Sequence, residues 1–302
     1  MYIKKGEAIP DEKVQIFTYK PIGLSSFSDK TIMKLHSIGV IKEIDMDIVK
    51  ALYRFQMCTA EQLSRIIHQD ETLIETRLYS LIKNRICNSF AIGDSENENV
   101  KDDALFVYTI DYGATVLLKH FTDFNDIVGW KIEDYVMTST KVNKSLMATE
   151  FMLRIQETIG DKLVFFNHEP IMSCSKEKYS PTAHFRIRTD AGEKDFILES
   201  VREIDFFNGY DTHYAIKISK GEIILTTQAW KKYVGKDETN PPVVIFLADT
   251  EEAMLRMAKL VSTTTIPAFR LCTISSIQGD LSKSLYKYED DKLKKVIAKI
   301  FA

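Results

Sequence analysis

The spacing of apolar residues between Asp45 and Phe121 constrains this chain more than any other feature. Ile44, Ile48, Leu52 and Phe55 recur at helical intervals and give a first helix a single apolar stripe. Thr59 stands ahead of Ala60-Glu61-Gln62, so Thr59 and Gln62 can exchange hydrogen bonds as a capping box that opens a second, short helix. Leu63, Ile66 and Ile67 form its inward side. A break at His68-Gln69-Asp70 leads into a third helix, Glu71 to about Asn84, with Ile74, Leu78, Leu81 and Ile82 on its buried face. Two strand-like runs follow, Cys87–Ile92 and Ala104–Ile110, around a polar stretch from Gly93 to Asp103. Asp111 then caps a closing helix that reaches Phe121.

Three helices followed by two strands and a loop are the plan of a winged helix-turn-helix over residues 41–125, which presents its third helix to duplex DNA. The residues that can reach DNA are Arg65, Thr72, Thr76, Arg77, Tyr79, Ser80, Lys83, Asn84 and Arg85. The set expected to carry binding is Arg65, Thr76, Arg77, Ser80 and Lys83. Arg77 is equally suited to a structural ion pair, and Lys83 to Arg85 also suit a solvated helix end that complements the helix dipole. Charge argues the other way. Residues 42–125 hold nine Lys/Arg against fourteen Asp/Glu, the third helix opens on Asp70-Glu71, and the wing tip carries Asp94, Glu96, Glu98, Asp102 and Asp103 against Lys101 alone. Such a field repels a phosphate polyanion.

The 302 residues suffice for two domains with ordinary cores, and no run of eighteen apolar residues suggests a membrane span. The first residues lack the long apolar core of a secretory signal. Cys58, Cys87, Cys174 and Cys272 are scattered, which reads as reduced thiols of a cytoplasmic protein. Ahead of the first domain, residues 1–40 are broken by Pro10, Pro21 and Gly23 and read as an arm, with a helix over about Asp29 to Ile38. Residues 126–142 read as a connector.

From Asn143 an amphipathic helix to Ile159 opens a second domain, 143–302. Strands are expected at Leu163–Phe166, Phe185–Ile187, Asp195–Leu198, Val243–Leu247 and Phe269–Ile274, and Tyr214–Ile218 is either a strand or the start of a helix. Helices are expected over about Lys220 to Val234, over Glu251 to Val261 behind Asp249-Thr250, and over Ser282 to Phe301. The last rests on Leu285, Leu293, Val296, Ile297 and Ile300. Helices alternating with strands imply an α/β domain with a mixed central sheet. The whole chain is therefore expected to be α+β / α/β.

The first module resembles the replication-relaxation family of plasmid and mobile-element proteins. Tyr53, Phe55, Thr59, Gln62, Leu63, Arg77, Leu78, Leu81, Tyr108, Ile110 and Gly113 carry the likeness, which extends over about 50–270. It implies DNA binding in plasmid replication, conjugative transfer or transcriptional regulation. It also implies a second domain similar to a restriction-endonuclease fold, with Glu199 where a strand enters an acidic residue.

Nucleases of that fold need an acid on one strand and Asp/Glu-x-Lys on the next, to hold Mg²⁺ and activate water. Here the first acid position falls at Thr182, and Val201 stands where the lysine belongs. The expectation is a non-enzymatic protein without cofactor or metal. His168, Glu169, His184 and His213 show no ligand spacing. No Gly-rich phosphate loop or serine-hydrolase elbow occurs. Expected partners are double-stranded DNA, a second copy in a homodimer, and a protein bound through the C-terminal domain. The competing readings are a protein-interaction adaptor whose winged helix no longer binds DNA, and a Mg²⁺-dependent nuclease.

Overall fold

The computed structural model describes residues 28–93, 104–122, 139–207, 211–235 and 240–301, together with the backbone of 15–19. It divides into two compact units, Met1–Leu146 and Met147–Ala302. The proposed wing tip at 94–103 and most of the expected connector, 126–138, lie outside the described residues.

In the first unit, strand β1 (Gln15–Tyr19) precedes helices α1 (Asp29–Ser37), α2 (Glu43–Phe55), α3 (Ala60–Ile67) and α4 (Glu71–Lys83). Hairpin strands β2 (Cys87–Gly93) and β3 (Phe106–Ile110) follow, then α5 (Tyr112–Phe121). The sheet order is β1-β2-β3, so the N-terminal arm contributes an edge strand that sequence periodicity did not reveal. Local chemistry sets the helix starts. The Thr59 hydroxyl accepts from the Gln62 amide at 3.2 Å while Gln62 Oε1 accepts from the Thr59 amide at 3.3 Å. Asp70 and Asp111 cap α4 and α5 through their carboxylates. Between α3 and α4, His68 takes φ of 57°, which turns the chain sharply. Helix α6 (Ser139–Ile159) begins in this unit, where Val142 and Leu146 pack with Met57, Phe90 and Val107.

Gly113 is held where a side chain has no room. Its amide donates to the Arg85 carbonyl at 2.9 Å, and an added Cβ would stand 2.8 Å from that oxygen and 3.1 Å from Ile32 Cδ1. Gly113→Ala is therefore expected to lower stability by about 1–3 kcal/mol through overpacking. Hydrogen exchange of the α5 amides as slow as in the parent chain would contradict this.

The second unit completes α6 and adds β4 (Leu163–His168), β5 (Met172–Cys174), β6 (Glu177–Tyr179), β7 (Ala183–Thr189) and β8 (Gly192–Val201). Then come α7 (Glu203–Phe207), α8 (Asp211–Thr226), α9 (Lys231–Val234), β9 (Val243–Ala248), α10 (Glu251–Ser262), β10 (Phe269–Thr273), α11 (Ile274–Ile277), β11 (Leu285–Glu289) and β12 (Lys292–Val296). Seven strands form one mixed sheet in the order β12-β11-β10-β9-β8-β7-β4. Strands β8, β9 and β10 run parallel, with α8 and α10 in the connections, while β4-β7-β8 is an antiparallel meander.

Strand alternation sorts β8 between two layers. Ile197 and Val201 join a core with Ile218, Leu225, Met257 and Phe246. Phe196 turns the other way and stacks on Phe185 at 5.0 Å, and Phe185 meets Phe151 of α6 edge-on at 5.9 Å.

Two expectations for this unit fail. The Ser282–Phe301 helix is instead the hairpin β11–β12. Asp290 and Asp291 both take positive φ, 52° and 57°, which closes a two-residue turn whose twist suits a hairpin. Ile297, assigned to an apolar helical stripe, is 70% exposed. The Lys220–Val234 helix starts earlier, at Asp211, taking in Tyr214–Ile218. It breaks after Thr226, where Gln228 has φ of 60°. The small hairpin β5–β6 carries too few residues for a periodic signal. Among the described residues no helix is long and apolar enough to cross a membrane.

Candidate nucleic-acid interface and the Glu199 pocket

Helix α4 separates its two faces cleanly. Ile74, Leu78, Leu81 and Ile82 are buried, whereas Thr72, Leu73, Thr76, Tyr79 and Lys83 are exposed. The Asp70 carboxylate accepts from the Leu73 amide at 3.1 Å and fixes the first turn. Tyr79 is 71% exposed, a large ring without a covering group. Thr76 donates to the Thr72 carbonyl at 2.9 Å, a helix back-bond. Ser80 is half-buried beside this stripe. Thr76, Ser80 and Lys83 thus share one surface, as their spacing implies.

The two arginines are engaged elsewhere. Arg65 lies on α3 and pairs with Glu61 one turn earlier at 3.1 Å. Arg77 turns back from α4 to α2. Its Nε donates to Asp45 Oδ1 at 2.8 Å, and its Nη2 donates both to Asp45 Oδ2 and to the Val40 carbonyl. Asp45 has no exposed surface and also accepts from the Lys42 amide at 2.7 Å. These hydrogen bonds hold the Arg77 guanidinium more firmly protonated than usual, and its burial only partly opposes them. Of the two roles open to Arg77, the structure occupies it with the ion pair that docks α4 on α2. A signal for Asp45 did exist. It lies in line with Ile48, Val49 and Leu52, and an acid on an apolar stripe requires a partner.

No family model, curated protein or solved structure matches this chain.

In the second unit, β8 carries Glu199 at 5% exposure into a small cavity shared with Tyr179, Tyr214, Lys217 and Gly221. Lys217 of α8 places Nζ 2.6 Å from Glu199 Oε2. Thr182 stands beside the same oxygen at 3.5 Å, and its hydroxyl accepts from the Ser200 amide at 2.9 Å. Glu199 Oε1 has no hydrogen-bond partner. Burial, then the Glu199 charge, pushes the Tyr179 phenol well above its ordinary range, so it stays protonated. The cavity, about 10 Å³, has room for one water.

Thr182 sits next to Glu199, and Val201 is buried in the core. The cation comes instead from Lys217, eighteen residues away on a helix, which strand-based reasoning overlooked. One carboxylate and one ammonium are too few to hold Mg²⁺ as such sites do. No group of three or more His, Cys, Asp or Glu able to hold a metal occurs among the described residues. His184 is engaged by Asp195 at 2.8 Å, and His213 is exposed on α8. The four cysteines are free thiols, and burial pushes those of Cys58, Cys87 and Cys272 up, which makes them poor nucleophiles.

Proposed function

We propose that the first unit is a winged helix-turn-helix module that binds double-stranded DNA with the outer face of α4, in a plasmid or mobile-element protein of the replication-relaxation type. The observation that carries this reading is the outward stripe Thr72-Thr76-Lys83 with Ser80 and Tyr79, on a helix capped at its start and followed by a β-hairpin. Thr76 and Ser80 offer hydroxyls suited to base edges or phosphates, and Lys83 is the single cation of that face. Arg77 belongs to the positioning of the helix, and Arg65, tied to Glu61, is at the margin. The second unit acts in this reading as a non-catalytic scaffold in the manner of a restriction-endonuclease fold. The threonine at Thr182 and the Lys217 clamp on Glu199 support that reading. It serves self-association or a protein partner.

With one lysine on the reading face, binding should lose affinity gently with salt, unlike a basic DNA-coating protein. Selection from a random duplex library is expected to enrich a defined site. A homodimer would give half-sites about 10 base pairs apart. Lys83→Ala should weaken all duplexes alike and reduce the salt slope by about one, whereas Thr76→Ala should relax sequence preference. An adaptor role is the second reading, favoured by the acid excess over residues 42–125. Absence of any enriched duplex, together with a stable complex with another protein, would favour the adaptor reading in its place.

A further inference from the structure

The outward face of α4 is unusual in what it lacks. In a major groove, bases are read through hydrogen bonds by arginine on guanine, by asparagine or glutamine on adenine, and by a carboxylate on cytosine. Helix α4 turns none of these groups fully outward. Arg77 is committed to Asp45 and to the Val40 carbonyl. Asn84, at the C-cap, is half-buried and donates from Nδ2 to the Ser80 carbonyl at 2.8 Å. Glu71 and Glu75 are half-buried on the flank near Tyr108, whose phenol is pushed up by burial and then by the charges of Glu75 and Glu71. The five exposed residues of the helix are Thr72, Leu73, Thr76, Tyr79 and Lys83.

Hydrogen-bonding capacity on this face is small. Thr76 gives its one hydroxyl proton to the Thr72 carbonyl, so it can accept from a base but has no proton left to donate. Tyr79 is 71% exposed, and it stands three residues after Thr76 and four before Lys83, which makes it a surface neighbour of both. Its ring is the largest group on the face and offers mainly apolar contact. One base feature in the major groove is recognised through such contact, the C5-methyl group of thymine. We infer that α4 selects thymine, with the Tyr79 ring packed on the C5-methyl group. The inference rests on the proposed binding of duplex DNA by α4 and adds the base that this face chooses.

The test uses the full chain and a fluorescein-labelled copy of the duplex most enriched from a random library. Each thymine is replaced in turn by dU, which removes the methyl group and keeps the base pairing. Fluorescence anisotropy is expected to show binding about fourfold weaker at the contacted thymine, the effect of one buried methyl-sized group. Tyr79→Ala should weaken the thymine duplex and bind it and its dU counterpart alike, whereas Tyr79→Phe, which keeps the ring, should retain the preference. Lys83→Ala should weaken both duplexes and leave their ratio unchanged. Tyr79 lies outside the core, so its replacement leaves the fold in place. An enriched site without thymine, no response to dU at any position, or a dU penalty that persists in Tyr79→Ala would overturn this inference while DNA binding stands. Loss of the preference in Tyr79→Phe would assign it to the hydroxyl and overturn it likewise. No duplex bound by the parent chain would overturn both readings.

Discussion

Lys217→Met is expected to destabilise the second unit by about 3–5 kcal/mol, the cost of leaving a buried carboxylate without its counterion. Glu199 is 5% exposed, its Oε1 already lacks a partner, and Lys217 supplies the 2.6 Å contact to Oε2. The methionine keeps the apolar stem that lies along the cavity wall, so the effect isolates the charge. The double variant Glu199→Gln/Lys217→Met should recover most of the loss, because removing both charges also removes their desolvation cost. Trp230 is buried in the same core and reports the transition by fluorescence in urea. A single variant as stable as the parent would mean that Glu199 is protonated or solvated, and the assignment of Lys217 as its clamp would fall.

The second large effect lies in the first unit. Asp45→Ala removes the acceptor of the Lys42 amide and of two donors from Arg77, and is expected to cost about 3–5 kcal/mol as a broken buried pair. Arg77→Ala should cost a comparable amount, since Asp45 would remain fully buried and unpaired. Hydrogen exchange of the α2 and α4 amides is the suitable readout, because the chain has two units and a global midpoint would mix them. If the proposed DNA binding exists, its loss in Arg77→Ala would then follow from loosening of α4. If Arg77→Ala leaves exchange protection intact, its assignment as a docking residue is wrong.

These two ion pairs mark the limit of what could be read from the chain. The outward triad Thr76, Ser80 and Lys83 was legible, because helical spacing alone puts them on one surface. The engagement of Arg77 was open to two readings, since its partner lies thirty-two residues away on another helix. Lys217 was invisible as a partner of Glu199. Only the packing of α8 on the sheet brings an eighteen-residue separation down to hydrogen-bond distance.

Sequence by itself determined the elements whose causes are local. The Thr59–Gln62 box, the Asp70, Asp111 and Thr250 caps, and the apolar stripes of α2, α4 and α10 depend on neighbours within a few residues. Tertiary structure decided what depends on distant partners. Leu285 to Ile300 suits a helix by spacing, yet β10 offers an open edge that β11 can pair, and the Asp290-Asp291 turn folds β12 back upon it. The arm strand β1 likewise exists only through pairing with β2, because a strand's hydrogen bonds are made with another strand and a helix makes its own.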